Sequence, residues 1–89
     1  MKAVITVTGK DSVGIIAQVA NACAACDANI VDISQSVLQD YFAMIMLADI
    51  DKLNVDFSAF VDKLADLGRE KGLEIHTMHE DIFNVMHHV

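Results

Sequence analysis

Proline and tryptophan are absent from these 89 residues, tyrosine occurs once and glycine four times. With no proline-rich or low-complexity stretch there is no recognisable linker, so one domain over residues 1–89 is expected. Basic residues are scarce as well. Six Lys and Arg, scattered from Lys2 to Lys71, face thirteen Asp and Glu, giving a net charge of −7 and a pI near 4.7. Nucleic acid is a poor partner for such a surface, because phosphate contacts need concentrated positive charge, and anionic membranes are disfavoured on the same ground. The acidic surplus reads first as a solubility device. Long apolar runs are also missing. The longest, Tyr41 to Ala48, falls far short of the roughly 18 residues that cross a bilayer. The N-terminus does not carry a charged segment followed by an apolar run and a small-residue cleavage site. A cytoplasmic location is therefore expected.

What is plentiful is apolar material: 54% of the chain, with a mean hydropathy of +0.40. A domain of this size buries only roughly 60–65% of its unfolded-chain surface. The chain thus holds more apolar residues than one small core needs, and a second copy is expected to cover some of them.

Residues 3–8, rich in Val, Ile and Thr, predict a strand. Asp11 or Ser12 is placed to cap a following helix by accepting from its free amides. In that helix Ile15 or Ile16, Val19, Ala22 or Cys23, and Cys26 form one apolar stripe. Residues 29–39 alternate, with Val31, Ile33 and Val37 on one side and Asp32, Ser34 and Ser36 on the other, which predicts a half-buried strand. Gln39-Asp40 is a turn candidate. The next strand, Tyr41 to Ile50, is apolar on both sides: Phe42, Met44, Met46 and Ala48 against Tyr41, Ala43, Ile45 and Leu47. Both faces of such a strand should be covered, one by helices and one by another subunit or the C-terminal segment. Residues 55–71 predict a second helix with a stripe of Phe57, Phe60 or Val61, Leu64 and Leu67, closed by Gly72. Leu73 to Met78 is a short fourth strand. Glu80 and Asp81 open a last helix over about residues 80–88, lined on one side by Ile82, Phe83, Met86 and Val89. The order is strand, helix, strand, strand, helix, strand and a short extra helix. It predicts an α+β, ferredoxin-like βαββαβ sandwich, with a four-stranded antiparallel sheet and two helices on one face.

Motifs for catalysis are weak. Cys23-Ala24-Ala25-Cys26 spells C-x-x-C, but near the C-terminal end of its helix, where the dipole opposes a thiolate, and within the apolar stripe. Buried small hydrophobes is the preferred reading. His76, His79, His87 and His88 crowd the C-terminus, yet strand alternation puts His76 and His79 on opposite faces, and the spacing suits no compact zinc site. Adventitious metal on the histidine tail is the preferred alternative, and no metal or cofactor is expected. Gly9 and Gly14 fit neither a phosphate loop nor a dinucleotide fingerprint, and the carboxylates form no acid–base pair. Met44 and Met46 are read as core. An enzyme is not expected.

The loop Gly9-Lys10-Asp11-Ser12-Val13-Gly14-Ile15, with Ala17 and Val19 behind it and Asn29-Ile30-Val31 opening the second strand, resembles the ACT domain. The likeness covers about residues 2–79. Val13 stands where the family often has proline. As a single unit the chain is similar to the short stand-alone ACT proteins of microbes, whose tail Asp81-Ile82-Phe83 … Met86-His87 resembles. The loop is also similar to that of the first ACT unit of glycine-cleavage repressors and of the ACT unit that opens formyltetrahydrofolate deformylases. The resemblance implies side-by-side pairing into one continuous sheet, with a small ligand at the pair interface. By position, Gly9, Asp11, Val13, Gly14 and Ile15 would come from one subunit, and Asn29 and Ile30 from the other. The chemistry is compatible. Gly14 permits close approach, free helix amides suit a carboxylate, and Asn29 both donates and accepts. Two readings stand for Asp11, helix cap or contact to an α-ammonium. Two stand for Gly14, ligand approach or tight helix–strand packing. The function implied is a regulatory homodimer that senses an amino acid or similar small carboxylate. The alternative is a ligand-free module that docks a partner protein.

Overall fold

The first apolar segment becomes the centre of the sheet. In the computed structural model, which describes residues 1–10 and 13–86 apart from the side chain of Leu38, β1 (Lys2–Lys10) is hydrogen-bonded on both sides. The chain continues through α1 (Ile15–Ala25), β2 (Asn29–Leu38), β3 (Tyr41–Asp49), α2 (Phe57–Lys71), β4 (Glu74–His79) and α3 (Glu80–Met86). The strand order is β2-β3-β1-β4 and every neighbouring pair is antiparallel. This is the expected ferredoxin-like sandwich with an extra C-terminal helix. The boundaries also lie close to those read from the sequence, with β4 displaced by one residue and α2 starting at Phe57. Gln39, in the turn between β2 and β3, has a positive φ, and Gly72 closes α2.

Alternation decides which side chains reach the helices. Ile5 pairs with Met46 and Val7 with Met44. These four, with Ala3, Phe42, Ala48 and Ile75, face Ile15, Val19, Cys23 and Cys26 on the α1 side and Phe60 and Leu64 of α2. Met44 and Met46 are core residues, as expected.

The opposite set on β3 has no such cover. Tyr41 is 58% exposed, and Ala43 and Ile45 are exposed with it. Among the described residues α3 packs mainly against β1 and β4. Val4, which pairs with Leu47 and Met78 on this outer face, is buried to 4% exposure there. The terminal helix therefore covers the β4 half of the face and leaves the β3 half open. Ile82 and Met86 on α3 are exposed, and Phe83 is half-buried. Val89, expected beside them, lies outside the described residues.

Helix α1 has Gly14 at its N-cap position and Ile15 as its first residue. Asp11 and Ser12, expected to cap it, lie outside the described residues. One expectation needs correction: β2 is not half-buried. Val31, Ile33 and Val37 are all exposed, Val37 to 53%. The cause is position. β2 is the edge strand: α1 meets it and Ile30 packs partly against the core, while Val31, Ile33 and Val37 stay exposed. A register shift between Ile30 and Asp32 also takes Val31 out of the pairing, so it does not share a face with Ile33 and Val37 as the alternation implied.

Phe60 is the largest fully buried side chain. Phe60→Ala is expected to cost about 3–5 kcal/mol, a large share of the stability of a domain this small. A urea titration reads the change directly. A loss below about 1 kcal/mol would contradict the packing described.

Candidate functional site

Between β1 and α1 the backbone must reverse within a few residues. It does so with Gly14 in the left-handed region, at φ 84° and ψ 9°. A residue with a Cβ pays roughly 1–2 kcal/mol there. Space is not the constraint: a Cβ on Gly14 would meet only Gln18 Nε2, at 3.7 Å. Gly14 is thus required by conformation, and the reading of it as a tight helix–strand contact is not supported. Gly9 is the crowded one. A Cβ there would lie 2.7 Å from Leu73 Cδ2 and 3.3 Å from the Gly72 carbonyl, where the end of β1 abuts the entry to β4.

Beside this loop lies an open groove of about 540 Å³, lined by Gly14, Ile15, Ile16, Ala17, Gln35, Val37 and Phe42. One wall is the first turn of α1. The other is the uncovered edge of the sheet, where Gln35 and Val37 of β2 pair with Met44 and Phe42 of β3. Of the residues named from the sequence, Gly14 and Ile15 line the groove. Ile15 does so from a largely buried position. Val13 is 99% exposed and is not part of the lining, and Gly9 borders a separate outer-face depression with Thr8, Ser36, Tyr41, Phe42 and Ala43. Asp11 lies outside the described residues. Ile16, Ala17, Gln35, Val37 and Phe42 were not foreseen as lining. Apart from Gln35, their common signal is a small or apolar residue next to a strand edge, which becomes visible only once β2 is known to be the edge.

Asn29 and Ile30 are elsewhere. They sit at the far end of β2, roughly 25 Å from Val37 at the usual rise per strand residue. Asn29 borders a cleft of about 300 Å³ with Asp27, Asp49, Asp51 and Lys52, and Ile30 packs partly against the core. The cleft is charged and well knitted. Asn54 Nδ2 donates to the Ala25 carbonyl at 2.9 Å and to Asp27 Oδ2 at 3.1 Å. The Met1 ammonium donates to Asp51 and holds its carboxyl below the usual carboxylate range, helped by Lys2. A single chain therefore does not bring the loop and Asn29 together.

Other reactive groups have structural surroundings. Cys23 and Cys26 are free and buried. Burial, with Cys26 close by, pushes the Cys23 thiol up to about 11. His79 stacks on Phe57 at 4.0 Å between ring centroids, while His76 pairs with Thr6 on the other face, as alternation required. His87 and His88 lie outside the described residues. Among the described residues no three His, Cys, Asp or Glu side chains are grouped to hold a metal, and no helix is long and apolar enough to cross a membrane.

Residues 2–78 match the family model of the ACT domain. The chain belongs to the ACT domain family. Full-length similarity agrees with this. A UPF0237 protein of Methanococcus maripaludis is 49% identical over 97% of this chain and 96% of its own. A UPF0237 protein of Listeria monocytogenes is 45% identical over 98% of each. The solved ACT domain protein from Streptococcus pneumoniae superimposes with a TM-score of 0.81 at 38% identity, over 93% of each chain.

The thiols give a direct check on burial. At pH 8 iodoacetamide is expected to leave Cys23 unmodified in the native protein and to label it rapidly in urea. Because the folded pKa is raised from 9.0 to about 11, Cys23 adds no penalty below pH 9, and stability falls as pH climbs from there toward 11. Labelling of native Cys23 as fast as of a free thiol would refute the burial.

Proposed function

We propose that this ACT domain is a regulatory, non-catalytic module that works as a homodimer and binds an amino acid or similar small carboxylate between its two copies. One observation carries the reading: the groove at the start of α1 is bounded by an edge strand that no other strand pairs on its outer side among the described residues, while Asn29 lies at the other end of that strand. An antiparallel twofold pairing of β2 centred near Ile33 sets Asn29 of one copy opposite Val37 of the other. That brings the polar end of one copy to the apolar groove of its mate. The free edge is closed by the same step, and the exposed Val37 and Ile33 gain cover. Gly9, Asp11, Val13, Gly14 and Ile15 then form the loop side of the site, and Asn29 and Ile30 the strand side. The first amides of α1 suit a carboxylate. Binding that favours one arrangement of the pair over another would transmit the signal to a regulated protein. Buried free thiols suit a reducing compartment, and the cytoplasm is the proposed location.

A second reading rests on the β3 half of the outer face, where Tyr41, Ala43 and Ile45 stay exposed; Ile82 and Met86 of α3 are exposed as well. That surface suits a module that docks a partner protein without a ligand.

Light scattering and thermal unfolding separate the two. The expected result is a dimer that Ile33→Lys converts to a folded monomer. A shift in unfolding temperature with at least one amino acid is also expected, lost in Asn29→Ala. Ligand at about a hundred times its Kd adds about 2.7 kcal/mol, and each kcal/mol moves Tm by about 4–8 °C in a domain of this size. A dimer that ignores all twenty amino acids would move the assignment to the docking module. A monomer at every concentration would remove the shared site.

A further inference from the structure

The groove and the cleft at the two ends of β2 differ in chemistry, and the difference specifies a ligand class. The groove is walled by Ile15, Ile16 and Ala17 on α1 and by Val37 and Phe42 on the strands. Among the described residues that line it, Gln35 is the only polar side chain and none is charged. The cleft is the reverse, with Asp27, Asp49, Asp51 and Lys52 around Asn29. A hydroxyl, amide or charged group set against Ile16, Val37 and Phe42 would leave water and find one amide in exchange, which is unfavourable. An aliphatic or aromatic group loses nothing there and gains burial.

Resting on the reading of this groove as an amino-acid site, we infer that the ligand is an α-amino acid with an uncharged, apolar side chain, such as valine, leucine, isoleucine, methionine or phenylalanine. The side chain lies in the groove. The polar backbone of the same molecule stays at the rim, where the twofold pairing brings Asn29 and the acidic cleft of the second copy. Ala17 sets the room available. It is small and exposed on the groove side of α1, so a larger residue there occupies the space the ligand side chain needs.

Shape-matched pairs test this on the full chain. Titrations of valine against threonine and of leucine against asparagine are expected to favour the apolar member by the order of 10- to 100-fold in Kd. Ala17→Leu is expected to abolish both apolar responses while the ligand-free protein unfolds within a few degrees of the parent. Threonine or asparagine binding as tightly as its apolar twin, or tighter binding of aspartate or lysine, would overturn the inference and leave an amino-acid module standing. Apolar binding undiminished in Ala17→Leu would also overturn it, by placing the ligand elsewhere. Should that variant fail to fold, Val37→Thr, at an exposed strand position, serves in its place and is expected to narrow the valine–threonine ratio. Silence toward all twenty amino acids removes the proposed function and this inference together.

Discussion

The structure depends on the burial of one strand. β1 is paired along its length with β3 and along most of it with β4, and its inward residues Ala3, Ile5 and Val7 have no exposed surface. Every other element takes its place from that strand. β3 and β4 satisfy its backbone groups, and α1 and α2 cover its inner face. α3 then closes over Val4 on the outer face. A buried strand cannot leave its amides unpaired, so the two neighbours are obligatory rather than convenient. The loop leaving β1 must then turn back sharply over the sheet, and this forces Gly14 into a left-handed conformation that a glycine adopts without strain.

The same arrangement makes β2 the exposed element. A sheet centred on β1 has two edges, and β2 is one of them although α1 meets it. What is left at the β2 side is a free edge, with Ile33 and Val37 on the helix side of the sheet and exposed. A free edge bearing apolar side chains is the surface on which a soluble chain pairs with another. The groove beside Gly14 is a consequence of this incomplete cover and not of a dedicated cavity in the core. That is why its walls come from the helix start and the strand edge, and why its lining is apolar.

Polar and reactive groups sort by the same logic. The charged cleft around Asn29 lies where β2 and β3 meet the loops at their far ends, open to water that can solvate Asp27, Asp49 and Asp51. The cysteines lie on the α1 side that faces the core, where desolvation favours the thiol and suppresses nucleophilic chemistry. The domain thus has concave surfaces of two kinds, one apolar and one acidic, held at opposite ends of a single edge strand.

Much of this was written in local pattern. Alternation in Phe42, Met44, Met46 and Ala48 set the inner face of β3, because a strand's side chains can only point two ways. The three- and four-residue spacing of Ile15, Val19 and Cys23, and of Phe60 and Leu64, set the helix stripes. The order of elements then admitted one common sandwich, and the Gly9-to-Ile15 loop resembled the family to which the chain belongs. The failures were of another kind. Val31, Ile33 and Val37 show a buried strand's alternation, yet they are exposed. Burial depends on which helix lies above a strand, and that is a property of the whole packing. The bulge at Val31 also follows from how neighbouring strands fit together. Gly14 and Asn29 looked like parts of one site in the sequence. Only the tertiary structure placed them at opposite ends of β2, because strand length fixes a distance that no side-chain pattern encodes.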